Sequence, residues 1–183
     1  MAFSINDIRA QLALGGARPS LFQVTITNPV NTAADLKTPF LVEAAAIPAS
    51  NLGLIEVPYF GRRIKMAGDR TFEPWTVTVI NDEDFLVRNA MEQWTNAINS
   101  LEGNITTLGS GAPALYKSQA SVTQYGKAGE ILRIYQFNGL FPQVVSEIGL
   151  NWGESDTLER FSVTFQYDNY EVIGGNTGDA GGA

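Results

Sequence analysis

The sequence of 183 residues contains no cysteine and no histidine. Without thiols there is no disulfide framework and no thiolate metal site, so stability has to come from packing or from neighbouring subunits. Without imidazole, the commonest general base near neutral pH and the commonest transition-metal ligand are both missing. Ser-His-Asp and Cys-His catalysis are thereby excluded. Basic residues are scarce: 12 Lys and Arg against 19 Asp and Glu leave a formal charge of −7. That balance opposes non-specific attraction to phosphate backbones, which depends on Lys and Arg displacing counterions. No window approaches the run of roughly eighteen apolar residues that a bilayer span requires, and the first ten residues lack the basic start and apolar run of a secretory signal. The expectation is a chain soluble as made, with no membrane partner.

What is present is enough for a core: 44% of the residues are hydrophobic, with 10 Phe, 6 Tyr and 3 Trp spread along the length. One domain over residues 1–170 is expected, followed by a flexible glycine-rich tail at 171–183. Residues 1–16 read as an N-terminal arm or short helix, with Phe3, Ile5, Ile8, Leu12 and Leu14 at loose helical spacing before Gly15-Gly16. Phe22, Val24 and Ile26 alternate with polar neighbours, the period-two signature of a half-buried strand. Residues 40–46 form a second expected strand. Residues 47–67 read as a long inter-subunit loop, because Pro48, Gly53, Pro58 and Gly61 punctuate an unusually apolar stretch. Residues 64–66 and 72–80 are expected to pair around a turn at Gly68-Asp69.

The one long helix is expected at about 82–101, capped by Asn81 or Asp82. Val87, Met91, Trp94, Ile98 and Leu101 make its apolar stripe. Residues 118–125 with 131–137, and 144–152 with 158–167, read as two hairpins. The fold class is mainly β: two packed antiparallel sheets or a partly closed barrel with that flanking helix.

Candidate chemistry is thin. Asp82-Glu83-Asp84 suits a helix start better than a paired-acid or calcium site, and Glu154, Asp156 and Glu159 suit a solvated turn. Neither Gly15-Gly16 nor Gly109-Ser110-Gly111 has phosphate-loop spacing. No catalytic, cofactor-binding or metal-binding residue is expected, and the chain is not read as an enzyme. Arg62, Arg63, Lys65 and Arg70 are four of only 12 basic residues and fall within nine positions. A basic strip on an acidic protein can meet an acidic strip on an identical neighbour. The subunit-interface candidates are therefore Leu52, Leu54, Ile55, Val57, Tyr59, Phe60, Arg62, Arg63, Lys65, Asp69 and Arg70. Hydroxyl residues such as Thr25, Thr27, Thr76, Thr78, Ser162 and Thr164 read as ordinary strand surface or as the lining of a wall.

Residues 64–94, reading IKMAGDRTFEPWTVTVINDEDFLVRNAMEQW, resemble the tail tube proteins of T4-like contractile-tailed bacteriophages. ARPSLFQV at 17–24, GLFP at 139–142 and VSEIGLNW at 145–152 follow in family order, and the resemblance covers roughly residues 17–170. Residues 29–39 and 97–112 look like surface insertions. The resemblance implies a fold shared with type VI secretion tube proteins and hexameric rings stacked into a hollow tube. The implied partners are further copies of the chain, a tail sheath protein, baseplate and tail-terminator proteins, and a tape-measure protein and DNA in the bore without specific binding. It implies a place in the virion tail, with assembly in the host cytoplasm. An acidic bore repelling DNA is a further expectation. A tube or baseplate-hub protein of a related contractile injection machine, such as type VI secretion, and a glycan-binding β-sandwich module are the competing readings.

Overall fold

The computed structural model describes residues 5–12, 15–108 and 111–180. Its elements in chain order are α1 (Ile5–Gln11), β1 (Phe22–Ile26), a single turn of 3-10 helix at Thr32–Ala34, α2 (Thr38–Leu41), β2 (Val42–Ala45), β3 (Asn51–Tyr59), β4 (Arg62–Thr71) and β5 (Trp75–Ile80). There follow α3 (Leu86–Ile98), α4 (Pro113–Tyr116), β6 (Ser118–Tyr125), β7 (Ile131–Val145), β8 (Arg160–Gln166) and β9 (Asn169–Val172). Phe3 and Leu14 of the expected arm, and Gly109-Ser110, lie outside the described residues.

Strict alternation sets the sheet. In β5, Trp75, Val77 and Val79 are buried while Thr76 is exposed, and in β8, Phe161, Val163 and Phe165 are buried between half-buried hydroxyl and amide residues. Period two sends every second side chain to the same face, so these strands each present one apolar face. All pairings are antiparallel, and the seven-stranded sheet runs β1-β6-β7-β8-β5-β2, with β9 on β7. Its two ends, β1 and β2, return into contact without pairing, so the sheet curls over its core and stays open. This is the mainly β, antiparallel, helix-flanked fold expected from the sequence, and it is not a closed barrel.

β7 makes the curl possible. Its first part pairs with β6 and β9, and Phe141–Val145 pairs with β8. Gly139 sits between the two parts at φ +68, where a Cβ would come within 2.1 Å of the Asp168 carboxylate. Only glycine fits that left-handed position at that approach. Within the core, Trp75 stacks on Phe137 at 4.3 Å and packs against Phe165.

α3 closes the core with Val87, Ala90, Met91, Trp94 and Ala97. It is shorter than expected. Residues 82–85 precede it, Phe85 in the left-handed region is its N-cap, and Leu101 lies beyond its end, almost fully exposed. Asp84 still serves the helix start by accepting the Leu86 N–H at 3.0 Å. Asn81 instead donates to Glu159 at 2.8 Å. Asn28, fully buried, donates to the Ala90 carbonyl at 3.0 Å and accepts from the N–H groups of Val30 and Asn31. It ties the β1 exit to α3, a role that no periodicity announced.

Three other expectations change. Phe40 belongs to α2 rather than to a strand, because Lys37 to Leu41 complete a helical turn before β2. Residues 146–152 are not a strand: β7 ends at Val145, and β8 pairs with its last part across a long connection. The glycine-rich end begins as strand β9, and Ile173, Asn176 and Thr177 donate main-chain bonds to β7.

Lys37 bridges the carboxylates of Asp82 and Asp84, joining α2 to the approach of α3. The Lys37 hydrogen bond holds both carboxylates below the usual 3.8, and the same bonds, led by Asp82, raise the Lys37 ammonium. Depressed acids stabilise the fold above pH 3.8, and that contribution is lost as pH falls through their lowered values. The raised lysine contributes below 10.5 and loses its share as pH climbs past that value. A Lys37→Met variant is therefore expected to melt slightly below the parent at neutral pH. The gap should close below pH 3.8 and again in strong alkali, as thermal scans across pH would reveal.

Candidate functional site

The segment read as a long loop is a hairpin. β3 and β4 pair along their length as a separate two-stranded sheet and, among the described residues, join no other strand. β4 continues through Gly68-Asp69, where a turn was expected, with those two residues bulged opposite Gly53, and the reversal occurs at Phe60-Gly61. Both turn residues have positive φ, 41° and 80°, which with Tyr59 opposite Arg62 makes the two-residue turn whose twist matches a hairpin. Glycine suits the second position. Phenylalanine does not suit the first, since a bulky L-residue in the left-handed region is strained. Phe60 is nevertheless there, 91% exposed and edge-on to Tyr59 at 4.6 Å.

Register divides the hairpin into two faces. Ile55 lies opposite Met66, Val57 opposite Ile64 and Tyr59 opposite Arg62, and directly paired residues share a face. Glu56 opposite Lys65 and Pro58 opposite Arg63 occupy the other. Arg63 binds Glu56 on that charged face at 2.7 Å. The apolar face is open: Ile55, Val57, Ile64 and Met66 are each between 42% and 55% exposed. Near the base, Leu52 faces Arg70 before a bulge, and Leu54 faces Ala67.

All eleven interface candidates therefore fall on one projecting element, Asp69 and Arg70 included. Ile64 and Met66 were missed as members of its apolar face. Their signal was the alternation with Arg63 and Lys65, which was assigned to a strand of different partner and turn.

The acidic candidates do other work. Asp82 and Asp84 are committed to Lys37, and Glu159 accepts from Asn81. Among the described residues no group of three Asp or Glu side chains is placed to hold a metal ion, and no helix is long and apolar enough to cross a membrane. A cleft of about 520 Å³ between the end of α3 and residues 141–143 has Glu102 as its sole ionisable lining group. A lone carboxylate there supplies no acid-base pair.

A family model described as phage tail tube protein matches residues 17–173. The tail tube protein gp19 of Enterobacteria phage T4 is 38% identical over 169 residues, covering 91% of this chain and 99% of that protein. Among solved structures, the fold is similar to a chain of an extracellular contractile injection system, a PVC sheath-tube complex in its extended state. The TM-score is 0.57 at 14% identity, over 94% of this chain and 100% of that one. It is also similar to the tube-terminating cap of the anti-feeding prophage, with a TM-score of 0.59 at 18% identity over 86% and 91% of the two chains.

Proposed function

The chain belongs to the phage tail tube protein family, and on that premise we propose that it forms hexameric rings which stack into the inner tube of a contractile tail. The tube is a conduit for the genome, and the subunit is a structural part with no catalytic task. It assembles in the host cytoplasm and then resides in the virion tail. Sheath, baseplate, tail-terminator and tape-measure proteins are its neighbours there.

One observation carries the stacking role. A hairpin separate from the core sheet exposes an apolar face, bordered at its tip by Arg62, and a strained aromatic turn, which on a solitary subunit is a liability and between subunits is a contact. The eleven candidates from Leu52 to Arg70 are proposed to mediate ring-to-ring contact through it.

The wall of the bore is proposed to be the outward face of the seven-stranded sheet. Strands β1, β5 and β6 contain no charged residue, β7 and β8 contain one arginine each, Arg133 and Arg160, near their starts, and β2 and β9 contain one glutamate each, Glu43, which pairs with Arg160, and Glu171, so the strands carry no net charge. Amides and hydroxyls on this face bond to one another: Gln136 donates to Gln119 at 3.1 Å, Gln166 to Gln143 at 2.7 Å, and the hydroxyls of Thr76 and Thr164 lie 3.1 Å apart. In place of an acidic wall that repels DNA, this reading has a neutral one that offers few free ligands to a polyanion.

Electron microscopy of the purified protein tests the assignment. Rings or tubes are expected, spontaneously or on a supplied baseplate, and a dispersed monomer under both conditions overturns it. A Phe60→Asn variant gives a subtler outcome. Asparagine tolerates the left-handed turn position, so relief of about 1 kcal/mol should raise the melting point of the monomer slightly. Loss of the exposed ring should at the same time raise the protein concentration needed for tubes, measurable by sedimentation.

A further inference from the structure

The hairpin and the connection between β7 and β8 leave the fold at opposite ends of the same two strands. Trp75 lies beside Phe165 and Ile80 beside Arg160 in the antiparallel β5–β8 pair. β4 leads into β5 at the Trp75 end, where the Trp75 indole also donates to the Ala46 carbonyl as the chain sets off towards β3. Residues 146–159 enter β8 at the other end, where Asn81 N–H bonds the Glu159 carbonyl. Five residue steps separate the two ends, roughly 17 Å along the strands.

The two ends are complementary in charge and alike in exposed apolar surface. The hairpin carries Arg62, Arg63, Lys65 and Arg70 against Glu56 and Asp69. Among the described residues, only Arg63 of those four cations forms an ion pair within the chain. The opposite connection carries Glu147, Glu154, Asp156 and Glu159 and no basic residue before Arg160, which is itself paired with Glu43. It also presents Leu150, Trp152 and Leu158, all well exposed, and Trp152 completely so. A cavity of about 240 Å³ opens beside them, its charged lining being Glu154, Glu159 and the Glu43-paired Arg160.

We propose that this acidic, aromatic connection is the docking surface for the hairpin tip of a second copy of the chain, with Tyr59 and Phe60 against Leu150 and Trp152 and the Arg62 guanidinium directed at Glu154. The inference rests on the tube reading and adds the partner surface of the hairpin. A contact joining opposite ends of one subunit is heterologous and repeats along an axis without closing, which is the symmetry of a stack. Unlike charges at the two ends also fix polarity, since tip against tip sets cation against cation.

Charge exchange in the full-length protein tests it, with the parent's own tryptophan as a second readout. Arg62→Glu alone and Glu154→Arg alone are each expected to raise the concentration required for tube formation by roughly tenfold or more. Arg62→Glu with Glu154→Arg in one chain should restore much of the parental assembly, because each copy then offers the inverted pair. Trp75 and Trp94 are already buried, so a blue shift and loss of iodide quenching on assembly report Trp152. Parent tubes in which Trp152 stays quenchable, or in which Glu154→Arg assembles normally, overturn the docking surface and leave the tube reading standing. A parent that forms no tubes, even when seeded, overturns both.

Discussion

Replacing Val57 by Glu and Ile64 by Lys together is expected to leave the monomer folded and to abolish stacking. The two residues face each other across the hairpin, so the new charges are of opposite sign and the pair retains cross-strand stabilisation of up to about 1 kcal/mol. Neither side chain touches the core, since both strands belong to the separate two-stranded sheet. Circular dichroism and the melting point should therefore match the parent. In the tube each subunit loses the burial of two aliphatic side chains, already about half buried, at roughly 1 kcal/mol apiece. It must also bury a charge pair whose only partners are each other, a desolvation of about 1–3 kcal/mol in all. The combined loss corresponds to a stacking constant lower by roughly a thousandfold. Pelleting assays across a concentration series would measure it, and normal tubes from this variant would remove the hairpin from the interface.

The largest effect on folding is expected at Trp94. Its side chain is fully buried, packs near Phe165 at 6.4 Å, and donates from the indole nitrogen to the Tyr116 carbonyl at 2.9 Å. Trp94→Ala removes the largest packing group of α3 and strands that carbonyl, together about 4–6 kcal/mol. Against a domain stability of about 5–15 kcal/mol, such a loss leaves a marginal fold, with a fall in melting point of roughly 10–20 °C. Trp94→Phe keeps most of the volume and gives up the hydrogen bond, so about 1–3 kcal/mol is expected. A similar drop from both variants would mean that the hydrogen bond, and not the packing, secures α3.

Much of this architecture could be read from residue spacing. The stripe of Val87, Ala90, Met91 and Trp94 marked α3, and the alternation in WTVTVI and RFSVTF marked two central strands, because each pattern follows from which side chains must leave water. The hairpin was legible as a sticky segment and illegible as a strand pair. Alternation fails in β3, where Leu54, Ile55 and Val57 fall on both faces and none of them is fully buried. Its turn also lacks the usual Asn-Gly or Asp-Gly, since Phe60 occupies the position that sterics would give to a small residue. Gly68-Asp69 imitated a turn, but it lies within β4 and forms the bulge opposite Gly53. In the connection between β7 and β8 the apolar residues Ile148, Leu150 and Trp152 alternate as a strand would. Leu150 and Trp152 nevertheless stay in solvent, so the alternation there marks no core strand.

The independence of the hairpin also bears on mechanics. Because β3 and β4 share no hydrogen-bonded ladder with the seven-stranded sheet, the hairpin can tilt at its base, around residues 47–50 on one side and Thr71 on the other, while Phe72 stays packed on Tyr167 and Tyr170 and Trp75 on Phe137. In a stack joined through such arms, curvature of the long axis would be absorbed at pivots between subunits while each body stays rigid. Bending compliance and resistance to unfolding would then reside in different parts of the chain, so a filament could flex sharply with no subunit near its melting point.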